Sequence, residues 1–118
     1  MDNTIEQKSF QFALRIVKLS RHLRETYNEF ELAKQVLRSG TSIGANVAEA
    51  QQAQSRADFV SKLSIALKEA VETNYWLRLL HGSGILRESE FSSLINDCRE
   101  LERVLTAILK STKAVDPS

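Results

Sequence analysis

The sequence predicts an all-α protein, an antiparallel up-down-up-down four-helix bundle, on three observations. Four stretches repeat apolar residues at helical intervals of three and four. The connections between them are short and carry turn chemistry. One proline and four glycines in 118 residues are too few for a turn-rich β architecture. Leu, Ala, Glu, Lys, Arg and Gln dominate, and these favour helices. Short connections place consecutive helices antiparallel. A rise of about 1.5 Å per residue makes each a rod of roughly 30 Å.

The first helix is expected over residues 4–26. Phe12, Ile16, Leu19 and Leu23 form its stripe, widened by Ala13 and Val17. Its polar face carries Lys8, Arg15, Lys18, Arg21 and Arg24. Asn28 reads as the N-cap of a second helix over 29–52, with Glu31 as its reciprocal partner. Leu32, Val36, Ile43 and Val47 line one face of that helix, and Ser39, Gly40, Gly44 and Ala48 lie beside it. Glycine inside a helix is worth about 1 kcal/mol less than alanine. Gly40 and Gly44 share a face, so the spacing predicts a second backbone packed closely there. A kink at Gly40 is compatible with the pattern.

Ser55 and Asp58 cap a third helix over 56–81. Phe59, Leu63, Ala66, Leu67, Ala70, Asn74 and Leu77 follow one ridge, and Val60, Val71 and Tyr75 make the apolar surface unusually wide. Gly82 and Gly84 end it. The fourth helix, over 88–113, opens on Glu88 and Glu90, which suit the positive end of its dipole. Phe91, Leu94, Ile95, Cys98, Leu101, Leu105 and Ile108 form its stripe. Lys110 and Lys113 suit its negative end, and a frayed tail is expected after Ala114. Residues 1–118 thus make one domain, with no repeat period and no linker.

Composition narrows the function classes. Hydrophobic residues are 42% and charged residues 26% of the chain, ordinary for a globular protein. A formal net charge of +1 lacks the basic excess of a dedicated nucleic-acid binder. No apolar run approaches the about 18 residues of a membrane span, and MDNTIEQKSF lacks a secretory signal pattern. The cytoplasm is the expected location.

Catalytic and cofactor motifs are missing from the pattern. Paired-metal bundles use Glu-x-x-His, but Leu19 and Arg78 stand three residues before His22 and His81. His22 is expected on the basic face of the first helix, and His81 at the dipole end of the third. Gly40 to Gly44 has neither the spacing nor the lysine of a phosphate loop. Cys98 sits on an apolar stripe and reads as a small buried side chain. No catalytic, cofactor-binding or metal residue is assigned, no cofactor is expected, and an enzyme is not.

Two polar clusters remain. Asn46 and Glu49 on the second helix read as interhelix hydrogen bonds that fix register. In KEAVETNYW, Lys68 and Glu72 are one turn apart and able to pair. Tyr75 and Trp76 suit packing or a subunit contact. The basic face is the one electrostatic signal, with five basic and three acidic side chains in residues 1–27. In an assembly such faces would sum into a field that attracts phosphates.

These blocks carry a resemblance. Glu31, Leu32 and Gln35 are followed by Arg38, Ser42, Ile43, Asn46, Ala48, Glu49 and Ala50; then come Ser55, Asp58 and Phe59, and KLSIALKEAVETNYWL from Lys62 to Leu77. Over about residues 5–112 the chain resembles the four helix bundle proteins, also called 23S ribosomal RNA intervening-sequence proteins. The resemblance implies a bacterial bundle assembled as a homo-oligomer, a homopentameric ring, of unestablished biochemical role. Members are encoded inside insertions in bacterial large-subunit ribosomal RNA genes. It implies that Asn46, Glu49, Lys68, Glu69, Glu72, Tyr75 and Trp76 order the bundle and its subunit contacts. A similar bundle, the accessory protein of diversity-generating retroelements, is basic and binds nucleic acid; this chain departs from it in being nearly neutral. RNA or DNA contact through Lys8, Arg15, Lys18, Arg21 and Arg24 is the alternative expectation.

Overall fold

The structure, a computed structural model, describes residues 4–115. Four helices follow in order: α1 Ile5–Tyr27, α2 Phe30–Ala50, α3 Arg56–Gly82 and α4 Glu88–Val115. No strand occurs among the described residues. Part of the frayed tail expected after Ala114, and the side chain of Lys113, lie outside the described residues.

Each helix packs on the next, and α1 closes the ring of contacts against α4. Cross-helix pairs give the directions. On α1 and α2, Ser20 donates to the Ala33 carbonyl, while further down Gly44 faces the Ser9 backbone. On α2 and α3, Arg38 meets Glu69 and Glu72, while Glu49 meets Lys62. Higher numbers on one helix meet lower numbers on the other, so these neighbours are antiparallel. The bundle is elongated, 50 × 29 × 22 Å, as rods packed side by side must be.

The core is one cluster fed by all four stripes. Phe12, Ile16 and Leu23 of α1, Val36, Ile43 and Val47 of α2, Leu63, Leu77 and Leu80 of α3, and Leu101 and Leu105 of α4 are fully buried or nearly so. Two hydroxyl pairings are buried with them. Thr73 donates to the Glu69 carbonyl and shares a 2.8 Å hydrogen bond with Ser39 Oγ, and Ser20 donates to the Ala33 carbonyl at 3.0 Å. A buried hydroxyl without a partner would carry its full desolvation penalty, so these bonds also pin register.

The glycine pair does what the spacing predicts. A Cβ at Gly40 would stand 2.7 Å from Ile16 Cγ2, and one at Gly44 would stand 3.3 Å from the Ser9 carbonyl oxygen. The α1 helix therefore nests into α2 along this face. The α2 helix runs unbroken through Gly40.

The α1–α2 connection differs from expectation. Asn28 does not cap α2. It ends α1 in the left-handed region at φ 53°, its N–H bonded to the Leu23 carbonyl, and Glu29 caps α2 by accepting from Leu32 N–H. The two helices are joined by two residues alone, so the reversal needs a left-handed residue at once, and asparagine tolerates that conformation. The capping task passes to the next side chain with an oxygen. At the α2–α3 connection the expected cap forms: Ser55 Oγ accepts from Asp58 N–H at 3.0 Å, and Asp58 accepts from Gln54 N–H at 3.2 Å. After α3, Ser83 is the C-cap and Gly84 takes the positive φ of 87°.

Candidate interaction surfaces

The polar residues singled out on α2 and α3 fall into two groups. Along the α2–α3 seam, Arg38 reaches Glu69 at 3.5 Å and also binds Glu72, whose Oε2 accepts from Trp76 Nε1 at 2.9 Å. One guanidinium thus ties two carboxylates and orients the indole. Lower on the seam, Glu49 pairs with Lys62 at 3.0 Å. That bond, with the Glu49 charge, raises the Lys62 pKa. All three ion pairs are partly exposed, so they act mainly on geometry.

Two details depart from expectation. Lys68 does not pair with Glu72, which meets Arg38 and Trp76 through Oε2 instead. Asn46 donates to the Ser42 carbonyl of its own helix at 2.8 Å, not across to a neighbour. Lys68 and Tyr75 stand on the outward face of α3, away from the seam. Sequence reasoning missed Lys62 as the partner of Glu49 and Arg38 as the hub of the seam. Arg38 was present in the motif, but nothing local announces a partner more than thirty residues away.

The basic face of α1 is also divided. Lys8 pairs with Glu100 at 3.0 Å, and Arg15 with Asp97 at 2.6 Å and Ser93 Oγ at 2.9 Å. These two cations lock α1 to α4. Among the described residues, Lys18, Arg21 and Arg24 form no ion pair and are exposed. His22 shares a 3.1 Å hydrogen bond with Thr26 and meets the Tyr27 ring edge-on. His81 stacks on Phe91 at 4.1 Å and meets Glu88 at 3.1 Å, tying the end of α3 to the start of α4.

Cys98 is buried, and its thiol donates to the Ala70 carbonyl at 3.3 Å. Burial first, then the Glu102 carboxylate, pushes its pKa up to about 12. A thiol held so firmly in its protonated form is a poor nucleophile. Among the described residues, no group of three or more His, Cys, Asp or Glu is placed to hold a metal ion. No helix among them is long and apolar enough to cross a membrane.

The family model for 23S rRNA-intervening sequence proteins matches residues 1–107. The chain belongs to that family. Among solved structures, it is similar to a protein of unknown function from the S23 ribosomal protein family of Bacteroides thetaiotaomicron. The two are 51% identical, with a TM-score of 0.90 over 91% of this chain and 99% of that one. No curated protein matches. Neither likeness carries a stated chemistry.

Proposed function

We propose that the protein is a non-enzymatic, cytoplasmic homo-oligomeric scaffold that acts through protein or RNA contacts, assembled as the pentameric ring its family resemblance implies. The observation that supports this reading is α3. Its inward face feeds the core through Leu63, Ala66, Ala70 and Leu77, yet its outward face carries Val71, Tyr75 and Leu79, all exposed. A helix apolar on all sides is normally buried on all sides. A row of large apolar side chains left in water marks a contact surface. Tyrosine at its centre, with Arg78 5.8 Å from the ring centroid, is the composition of a protein interface. Sedimentation velocity at micromolar protein is expected to show a species several times the 13.3 kDa protomer, five times for a ring. A strict monomer overturns the reading.

Nucleic-acid contact is the second reading, favoured by the three cations of α1 that form no ion pair among the described residues. Lys18, Arg21 and Arg24 recur at three-residue steps, so copies in an assembly would present them together. Retention of a structured RNA in a low-salt gel is expected, weakening steeply as counterions compete. Lys18→Glu with Arg21→Glu is expected to abolish it. Arg15 is a poor target because its loss also breaks the tie to Asp97. No shift at low salt overturns this second reading.

A further inference from the structure

Two exposed apolar surfaces lie on different sides of the bundle, and they complement each other. One is the α3 ridge. Val71, Tyr75 and Leu79 follow at one-turn steps and are 53%, 49% and 39% exposed. They span about 12 Å along the helix. The other is a groove of about 550 Å³ between α1 and α2. Its α2 wall is Thr41, Gly44, Ala45 and Ala48, none larger than threonine, with the C-cap Gln51 at its end. That wall runs about 10 Å. Phe10 of α1, 61% exposed, stands at the groove.

Size and charge both match. Large side chains on a ridge seat into a groove of small ones, as helices pack in general. The ridge is accompanied by Lys68 and Arg78, and the groove by Glu6. Among the described residues, none of these three charges forms an ion pair. One surface is thus apolar with positive neighbours, and the other apolar with a negative one.

We infer that the α3 ridge of one copy seats in the α1–α2 groove of a second copy, with Glu6 meeting the cations of the ridge. The inference rests on the oligomeric reading above and assigns its contact faces. Because ridge and groove are different patches, the contact is heterologous: each copy offers one of each. An assembly built this way grows head to tail until it closes.

Complementation tests this assignment. Ala45→Arg fills the groove and leaves the ridge intact; Tyr75→Glu charges the ridge and leaves the groove intact. Both positions are exposed helix surface, so both variants are expected to fold, with far-UV dichroism and thermal melts close to wild type. Ala48→Glu and Val71→Glu serve as second variants should either fail. An unpaired charge in a desolvated contact is expected to weaken self-association at least roughly 30-fold. Each variant alone is then expected to sediment as a monomer where the wild type is assembled. An equimolar mixture is expected to form a dimer and nothing larger, because one intact ridge and one intact groove remain to meet. A wild type that is itself monomeric overturns the oligomeric reading and this one together. An assembled wild type whose variants stay assembled, or whose monomeric variants do not pair on mixing, overturns the face assignment alone.

Discussion

Replacing Gly40 with leucine is expected to destabilise the protein by about 3 kcal/mol or more, the upper range for overpacking a core. The first added carbon alone would stand 2.7 Å from Ile16 Cγ2, 2.8 Å from Cγ1 and 3.2 Å from Cβ. Ile16 is wholly buried and branched at Cβ. In a helix such a side chain is held near one rotamer, so it has nowhere to turn. Alanine at position 40 gains about 1 kcal/mol of helix propensity. It is still expected to lose stability, because the crowding exceeds that gain. Urea unfolding reads both effects as shifts in midpoint at constant slope. Ile16→Ala removes both γ-carbons and keeps the Cβ at 3.2 Å. In that background Gly40→Ala is expected to become neutral or stabilising, and the difference measures the coupling of the two positions. A Gly40→Leu protein as stable as wild type would show that α1 and α2 do not nest here.

Raising the pH from about 9 to about 12 is expected to remove about 4 kcal/mol of stability through Cys98 alone, with the sign following from proton binding. The thiol rises from an ordinary 9.0 to about 12 in the folded protein. Below that window both states hold the proton, and the group is neutral to stability. Inside it the unfolded chain releases the proton while the folded chain keeps it, so unfolding gains with every pH unit. The penalty is absent below the unfolded pKa and grows as pH rises toward the folded value. Denaturation at pH 7, 9, 10 and 11 of wild type and Cys98→Ala isolates the effect, because all other groups titrate in both. The wild type is expected to lose stability more steeply. Equal slopes would contradict the burial and hydrogen bonding of the thiol.

Much of the architecture was legible in the chain. The expected third helix over 56–81 and the observed Arg56–Gly82 differ by one residue. The four stripes named from periodicity supply the core, and the Gly40 and Gly44 pair receives α1. These features are legible because helix period, capping at Ser55 and the small size of glycine act over a few residues. The connection at Asn28 and Glu29 was misassigned for a reason of the same range. Asparagine suits both the end of one helix and the start of the next, and only the length of the turn decides between them.

The candidate surfaces were less legible. Five cations on α1 look alike in sequence. Packing alone sets Lys8 and Arg15 against Glu100 and Asp97, leaving Lys18, Arg21 and Arg24 free of ion pairs among the described residues. Glu72 had a partner one turn away in Lys68, but took Arg38 from the neighbouring helix instead. An apolar residue is equally apolar wherever it points, so the width of the α3 stripe was visible while its outward part was not. Period, caps and glycine notches are properties of a local segment, so the sequence by itself determined the four helices and their inward faces. Which charges meet, and which apolar side chains remain in water, depends on the neighbour and register of each helix, and only tertiary packing decided those.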